Sequence, residues 1–513
     1  MNAIELEIHR HLFASIAEEM GVVLMRSAFS PNIKERRDFS CALFDADGEM
    51  VAQAAHIPVH LGSTPLSVAA AMAAIKMEPG THVLLNDPFA GGTHLPDITL
   101  VSPVFDACGV VRFYVANRAH HADVGGITPG SLPLSQSIDE EGICLGPTLW
   151  SEALEDQIAD ASRTPDERRG DLRAQLAANR RGQQRLSEHL ALRGEAFVRA
   201  ARALQEHSER FMRAVLSAMP RGRWSFEDVL DDDGFGHGPL PIRCTVAIGD
   251  EGVVVDFAGT ALQTRGPVNV PRAVTLSAVL YVFRCLAPRE LPSNGGYMRC
   301  IEVHTVPGTL VDAQHPAAVA IGNVETSQRI TDVVLGALAQ AMPERIPAAS
   351  CGTMNNVTIG GIDQRQSPPA AFAYYETIGG GSGASASAPG FDGVQTHMTN
   401  TLNTPIEALE HAYPFRIVAY AIRKGSGGAG KHAGGDGVVR SYFFESAATV
   451  SLMTERRLHG PYGLNGGEPG AVGRNLLVRN AVTQRLPGKC TIEVEAGDVI
   501  RIETPGGGGH GLG

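Results

Sequence analysis

The abundance and clustering of glycine constrain this sequence more than any other feature. Glycine makes up 58 of the 513 residues, about 11%, whereas ~7% is usual. It concentrates in three C-terminal runs, at residues 379–383, 425–428 and 506–509. Because only 6% of the residues are aromatic, we expect tight turns and close approaches between backbone segments instead of thick aromatic packing. A collagen-like period is absent, so these glycines are expected in loops and turns.

The composition indicates a folded protein with a large core, since 43% of the residues are hydrophobic and 19% are charged. The formal net charge of −12 does not indicate the basic face that nucleic-acid binding requires. No apolar run approaches the ~18 residues of a membrane span, and the N-terminus does not resemble a signal peptide. The eight cysteines are scattered singly, as in reduced proteins. We therefore expect no nucleic-acid partner, no membrane segment and a cytoplasmic location.

Hydrophobic periodicity divides the chain into four regions. Residues 1–150 alternate helical and strand patterns and are predicted to form an α/β region with ligand-bearing loops. Residues 151–220 predict two or three long helices, whose simplest role is that of a scaffold or subunit interface. A second α/β region is expected over 221–350, and glycine-rich loops with β-type segments over 351–513. The predicted fold class is mixed α/β (α+β), multi-lobed, with glycine-rich loops and a central long-helix segment.

The first region carries the most explicit pattern. A helix is predicted over residues 4–28, because its apolar positions follow a 3.6-residue period. The alternation on either side of Asp47-Gly48 predicts a β-hairpin. Further elements are predicted as a helix over 65–77 and strands over 81–85, 98–104 and 111–115.

The densest group of possible ligands lies within residues 86–126. Two segments there share one construction, in which a strand is followed by a glycine-flanked loop that bears histidine and carboxylate side chains. The first contains His94 and Asp97, and the second contains His120, His121 and Asp123. If the strands are neighbours, the two loops meet at one edge of a sheet. Such nitrogen and oxygen ligands suit Zn²⁺, Mn²⁺ or Fe²⁺, so the residues predict a metal or proton-transfer site. Each histidine taken singly is also compatible with a hydrogen-bonded loop residue.

Three other features remain open on the residues alone. Asp38 follows two arginines, and this favours a surface ion pair. The glycine run at 425–432 lacks the hydroxyl residue of a phosphate-binding loop, so tight turns or an anion-binding loop beside Lys424 and Lys431 are expected instead. The terminal glycine-rich segment, residues 506–511, either packs against a partner or an active-site edge, or forms a flexible tail.

Seven motifs are spread along the chain: NDPFAGGTHLPD at 86–97, ANRAHHADVGG at 116–126, GDLRAQLAAN at 170–179, DFAGT at 256–260, GPVNVP at 266–271, NTPIE at 403–407 and GGAGKHAGGDG at 427–437. Together they resemble the hydantoinase B family, and the resemblance covers essentially the whole chain. This family includes B subunits of hydantoin utilisation, the C-terminal half of 5-oxoprolinases, and a subunit of acetone and acetophenone carboxylases.

This resemblance implies the B-type subunit of an ATP-dependent cyclic amidohydrolase, which opens a lactam or imide ring at a divalent-metal site. ATP would be bound by a hydantoinase A-type partner subunit, in agreement with the missing phosphate loop. The partner would phosphorylate the amide oxygen, and water would then attack the activated carbon. Two alternatives remain: a subunit of an ATP-dependent ketone carboxylase, and a non-catalytic partner of the ATP-binding subunit.

The resemblance also implies roles for individual residues. Matched by motif, Asp38, His94 and His120 are the residues first expected to bind the metal, together with Asp97. Asp97, His121 and Asp123 are expected either to serve as alternative ligands or to orient the ligands through hydrogen bonds. His121 or Asp123 is expected to accept the proton of the attacking water.

Overall fold

A computed structural model describes the chain at residues 1–54, 57–250 and 252–513. Within these ranges it contains ten α-helices and nineteen strands in four sheets. All strand pairs in the sheets are antiparallel except one. This confirms the predicted mixed α/β architecture.

The N-terminal region is a six-stranded sheet with the strand order β2-β1-β5-β4-β3-β6. Its elements are α1 (Ala3–Ser27), α2 (Pro31–Lys34), β1 (Phe39–Asp45), β2 (Met50–Gln53), α3 (Ser63–Ala74), β3 (Val83–Leu85), β4 (Asp97–Phe105), β5 (Val111–His120) and β6 (Thr148–Leu149). Helix α3 packs on one face of this sheet, and α1 packs on the other.

One difference from the predicted elements matters for the site. Strand β5 continues past the predicted end at residue 115 and reaches His120. The last residues of β5 include polar side chains that interrupt the apolar pattern, but these side chains are buried and hydrogen-bonded. Asn117 donates to the carbonyl of Gln175 at 2.8 Å, and Arg118 donates to the hydroxyl of Thr99 at 2.8 Å. Paired polar groups thus extend a strand that hydrophobicity alone ends too early.

The central segment consists of the three helices α4 (Glu152–Ala161), α5 (Pro165–Arg193) and α6 (Glu195–Ser217), as predicted. Two amide side chains of helix α5 form hydrogen bonds to the six-stranded N-terminal sheet. Gln175 donates to the carbonyl of Ile98 at 2.9 Å, and Asn179 donates to the carbonyl of Leu100 at 2.9 Å. These bonds hold α5 against β4, close to the end of the strand that bears Asp97.

The third region combines a four-stranded sheet, in the order β10-β9-β8-β7, with buried helices. Its elements are β7 (Gly222–Leu230), β8 (Leu240–Ile248), β9 (Val253–Asp256), α7 (Arg272–Leu286), α8 (Gly295–Met298), β10 (Ile301–His304) and α9 (Ser327–Ala341). A π-helical turn at Gly322–Thr326 precedes α9. Such turns are rare and occur frequently at functional sites.

The C-terminal region contains a four-stranded and a five-stranded antiparallel sheet, ordered β12-β11-β15-β18 and β13-β14-β19-β16-β17. Its elements are β11 (Asn356–Asp363), β12 (Ala370–Glu376), α10 (Ile406–Ala412), β13 (Phe415–Arg423), β14 (Gly437–Phe444), β15 (Ala448–Met453), β16 (Arg474–Arg479), β17 (Val482–Leu486), β18 (Lys489–Val494) and β19 (Val499–Glu503). One hydrophobic cluster is formed by side chains of both sheets.

The glycine runs of this region pack backbone against backbone. Gly507 donates to the carbonyl of Gly435 at 2.9 Å, and its own carbonyl accepts from Gly428 at 2.9 Å. A Cβ atom added to Gly507 would lie 2.0 Å from the carbonyl oxygen of Ser382, and one added to Gly381 would lie 1.8 Å from that of Gly435. Gly506 to Gly509 are buried. The expectation of close backbone approaches is therefore confirmed, and the flexible-tail alternative is wrong.

No helix in the described ranges has both the length and the apolar character to cross a bilayer. The eight cysteines, all within those ranges, are free thiols.

The glycine layer generates a stability prediction. Gly507→Ala should lower the free energy of unfolding by about 1–3 kcal/mol or more, because the new methyl group meets a backbone oxygen that has no room to move. Gly146→Ala is the matched control, since its Cβ would meet nothing within 4 Å. Thermal and denaturant unfolding of the two variants measures the difference. Equal stability of both variants would contradict the close packing.

Candidate metal centre

Three neighbouring strands bring three predicted ligands to one edge of the N-terminal sheet. Asp97 begins β4 and His120 ends β5, and the two residues are cross-strand partners. Asp38 immediately precedes β1, and its carbonyl accepts a hydrogen bond from the backbone of His120 at 3.0 Å. Because directly opposed residues share a face of the sheet, the three side chains converge.

His94 reaches the same point from the loop before β4. Its Nδ1 donates to the carbonyl of Ala320 at 2.8 Å. A carbonyl oxygen only accepts, so this bond fixes the ring proton of the neutral imidazole on Nδ1. The lone pair of Nε2 then faces the Asp97 carboxylate, 3.3 Å away. A backbone bond of this kind is the usual means of orienting a metal-binding imidazole.

The Asp97 carboxylate lies at the centre of the cluster and is almost fully buried. Its Oδ1 is 3.3 Å from Nε2 of His94 and 3.1 Å from Nδ1 of His120. Its Oδ2 accepts from the hydroxyl of Thr93 at 2.5 Å and lies 3.3 Å from Nε2 of His60. Three imidazoles therefore surround one carboxylate.

The His120 ring is held from both sides. It lies 5.0 Å from the His94 ring, centroid to centroid, and it stacks on Tyr375 at 4.8 Å. Its Nε2 is buried and has no hydrogen-bond partner. An unpaired buried nitrogen of this kind is costly unless something binds it.

The electrostatics of the cluster differ from residue to residue. Burial opposes ionisation of Asp97, but the neighbouring His94 and His60 outweigh it and hold the pKa of the carboxyl well below its usual value. Burial also opposes protonation of His94, yet the Asp97 carboxylate raises the pKa of that ring. At His120 burial dominates and lowers the pKa. The cluster thus attracts positive charge between His94 and Asp97.

Asp38 lines the same small cavity, of about 20 Å³, as Asp97 and His120. Its residue surface is only 7% exposed, so the expectation of a surface ion pair is wrong. The nearest guanidinium nitrogen, on Arg36, is 3.8 Å from the Asp38 carboxylate, and Arg36 is itself fully buried. The Asp38 charge also favours protonation of His94 and His120.

The donor set fits a divalent cation. His94, Asp97 and His120 each offer a ligand atom, and these atoms lie within 4.8 Å of one another. Two acceptors, Nε2 of His94 and the Asp97 carboxylate, face each other at 3.3 Å and repel unless a proton or a cation lies between them. Imidazole and carboxylate ligands are those of Zn²⁺, Mn²⁺ and Fe²⁺ sites.

Comparison with known proteins decides the family. Residues 2–512 match the family described as Hydantoinase B/oxoprolinase. The chain belongs to this family. It is 41% identical over 548 aligned residues to 5-oxoprolinase 1 of Arabidopsis thaliana, with 99% of the chain and 42% of the plant protein covered. The chain thus spans less than half the length of this relative.

Solved structures agree with the family assignment. The crystal structure of the ATP-dependent caprolactamase from Pseudomonas jessenii superimposes with a TM-score of 0.92 at 27% identity, covering 100% of this chain and 91% of that one. A nucleotide-free structure of acetone carboxylase has a TM-score of 0.91 at 18% identity, covering 99% of this chain and 75% of that one. The second likeness shows a shared fold alone.

Two further predicted site residues, His121 and Asp123, do not join the cluster. Side chains alternate along a strand, so His121 lies on the opposite face from His120, where its Nε2 is 2.9 Å from the amide oxygen of Gln175. Burial lowers the pKa of His121 to about 4. The Asp123 carboxylate accepts from the backbones of Gly125 and Gly130 and from Arg163. Their predicted catalytic role stays a prediction, without support from these contacts.

Sequence reasoning missed three residues that contact the cluster. His60 lies on the short helical turn Pro58–His60, and Asn323 lies on the π-helical turn, with its amide 3.1 Å from Nε2 of His94. Tyr375 comes from β12. The signal used was a histidine with a nearby carboxylate in a glycine-flanked loop. None of the three missed residues lies in such a pattern. A predicted β5 that extended through the adjacent His120 and His121 would, however, have placed these two side chains on opposite faces of the sheet.

The position of Asp123 generates a prediction. Asp123→Ala should lower the free energy of unfolding by about 1–3 kcal/mol, because buried donors lose their acceptor, and should leave metal content unchanged. Asp139→Ala, at an exposed acidic residue, is the control. Elemental analysis and thermal unfolding provide the two readouts. A loss of bound metal at unchanged stability would instead place Asp123 at the metal.

Proposed function

We propose that this chain is the metal-binding B-type component of an ATP-dependent hydrolase that opens cyclic amides. The observation that carries the proposal is the convergence of His94, Asp97 and His120 on one buried point beside a small cavity. The 41% identity to 5-oxoprolinase 1 and the structural likeness to an ATP-dependent caprolactamase support the choice of reaction. A cytoplasmic location is part of the proposal.

In this proposal Asp38, His94, Asp97 and His120 hold the cation. When bound there, a divalent metal lowers the pKa of a water ligand and polarises an oxygen of the substrate. The chain itself orients the ligands: Ala320 fixes the His94 ring, and Tyr375 supports His120 from the opposite side. Such supporting contacts commonly contribute 10–100-fold to metal affinity or activity.

His60 is the residue best placed to take a proton. It lines the cavity, its Nε2 is 3.3 Å from the Asp97 carboxylate, and its Nδ1 is 2.9 Å from the hydroxyl of Ser40. Both ring nitrogens thus have polar partners through which a proton can pass. We therefore assign to His60 the proton-accepting role that the sequence reading gave to His121 or Asp123.

The ATP-binding component is proposed to lie on a hydantoinase A-type partner. The sequence contains no phosphate-binding loop, and the match covers 42% of 5-oxoprolinase 1, which leaves the larger part of that relative for other functions. The partner would transfer a phosphoryl group to the amide oxygen. Attack of water at the activated carbon, release of inorganic phosphate and cleavage of the ring C–N bond would follow at the His–Asp cluster.

The test is co-expression of the chain with an A-type partner, followed by elemental analysis and an ATP-dependent ring-opening assay on 5-oxoproline and hydantoin. His94→Ala and His120→Ala should each reduce bound metal to a small fraction of the wild-type amount and lower the rate at least 100-fold, because each removes a ligand. His304→Ala, at an exposed histidine, should change neither quantity.

Unchanged metal content and activity in both ligand variants would refute the site. A wild-type complex that carboxylates a ketone in the presence of bicarbonate, and opens no ring, would replace the hydrolase with the carboxylase. A folded chain that never binds metal would favour the non-catalytic partner.

A His60→Gln variant tests the proton acceptor separately. It should retain bound metal, because the four proposed ligands are intact, and lose 10²–10⁴-fold in ring-opening rate. Metal content and turnover are measured on the same preparation. Full activity of this variant would remove His60 from the mechanism.

A further inference from the structure

The carbonyl that orients the His94 ring belongs to an irregular backbone segment, and a buried glutamate holds that segment. Val319 and Ala320 precede the π-helical turn and belong to no strand or helix. Their backbone amides donate to Oε1 of Glu141 at 2.8 and 2.9 Å. The carbonyl of Ala320 in turn accepts the Nδ1 proton of His94 at 2.8 Å. Ala320 therefore links Glu141 to a proposed metal ligand.

The other peptide groups of this segment are bonded to the loop that precedes α7. The amide of Ile321 donates to the carbonyl of Pro267 at 3.0 Å. The side-chain amide of Asn269 donates to the carbonyl of Ala318 at 2.9 Å. The loop thus fixes the two ends of the segment, and Glu141 supplies the acceptor for the two amides between them. Loss of that acceptor would release the middle of the segment, which carries the carbonyl that His94 needs.

Glu141 serves as a hydrogen-bond acceptor more than as a charge. Its side chain is fully buried, and Oε1 also accepts from the hydroxyl of Ser135 at 2.7 Å. Its Oε2 has no hydrogen-bond partner among the described residues, and burial raises the pKa of the carboxyl to about 7. A carboxyl group keeps acceptor capacity in both protonation states, so Oε1 can hold the two amides in either state. Without it these buried donors would be unpaired, which is costly.

We propose that Glu141 is a positioning residue for the metal centre. It holds the carbonyl of Ala320 where that oxygen keeps the ring proton of His94 on Nδ1 and leaves the lone pair of Nε2 for the cation. When the segment shifts, the ring can take the other tautomer, in which Nε2 carries the proton and cannot bind a metal. The inference rests on the proposed function for the presence of a metal at His94, but the role of Glu141 is tested by metal binding.

The experiment measures Zn²⁺ binding to the full chain by calorimetry, with two variants of equal side-chain length. Glu141→Met removes the acceptor and should weaken Zn²⁺ binding about tenfold, the lower end of the range for groups that support a metal ligand directly. Glu141→Gln keeps an acceptor oxygen and should bind Zn²⁺ within about threefold of the wild-type protein.

Asp45→Ala is the matched control. Asp45 is also an almost fully buried acid, and its carboxylate accepts from the backbones of Asp47 and Glu49 at 3.0 and 2.9 Å. It ends β1, whereas Asp38 precedes the first residue of that strand. Asp45→Ala should therefore lose stability in thermal unfolding, as Glu141→Met does, but should bind Zn²⁺ like the wild-type protein.

A second readout reports on the His94 ring itself. In Zn²⁺-loaded protein labelled with ¹⁵N-histidine, nuclear magnetic resonance should show the proton of His94 on Nδ1, and His94→Ala assigns that signal by its loss. Glu141→Met should lose the signal, whereas Glu141→Gln and Asp45→Ala should keep it, since destabilisation alone does not change a tautomer.

Hydrogen exchange of the wild-type protein gives a reading that needs no variant, should Glu141→Met not fold. Coupling between two sites is reciprocal, so Zn²⁺ should slow exchange of the Val319 and Ala320 amides by about tenfold. Exchange that is unchanged by Zn²⁺ would overturn the coupling.

The outcomes separate the two proposals. A folded Glu141→Met protein with wild-type Zn²⁺ affinity, a Glu141→Gln protein as weak as Glu141→Met, or an equal loss of affinity in Asp45→Ala overturns the positioning role and leaves the proposed function intact. Zn²⁺ affinity that depends on Glu141, in a chain that opens no ring with its ATP-binding partner, supports the positioning role and overturns the proposed function.

Discussion

A single buried carboxylate, Asp97, is the constraint on which the site depends. A charge removed from water is tolerated only when charged or polar partners surround it, and Asp97 has three imidazoles and a hydroxyl within 3.3 Å. His94 comes from the loop before β4, His120 from β5 and His60 from a separate turn. Bringing these segments to one point requires the order β1-β5-β4 in the sheet. His94, Asp97 and His120 in this arrangement could together hold a metal ion.

Support for this cluster comes from distant parts of the chain. The π-helical turn supplies Asn323, and the carbonyl of Ala320 just before it fixes the ring of His94. The C-terminal region supplies Tyr375 from β12 and three threonines that line the cavity, Thr377, Thr399 and Thr401. Glycine runs in that region allow loops to pack closely, so their abundance reflects packing more than flexibility. Helix α5 is tied to the sheet by amide side chains on the opposite face from the cluster.

Much of the fold and part of the candidate site could be predicted from the sequence, wherever the pattern that indicates them lies within a short stretch of residues. Periodicity located the helices and most N-terminal strands, and two similar loops located His94, Asp97 and His120. The longer β5 escaped because Asn117 and Arg118 look like surface residues until their buried partners are known. His60 and Tyr375 escaped because their roles arise only from tertiary contact. The burial of Asp38, which rules out a surface ion pair, also escaped because no local pattern reveals it.

The most direct test of the central claim is a crystal structure of the metal-loaded chain with anomalous scattering data at the absorption edge of the bound metal. The account predicts one dominant anomalous peak, about 2.0–2.2 Å from Nε2 of His94, a ring nitrogen of His120 and a carboxylate oxygen of Asp97. A peak elsewhere, or a metal-loaded chain in which Nε2 of His94 remains bonded only to protein groups, would contradict it.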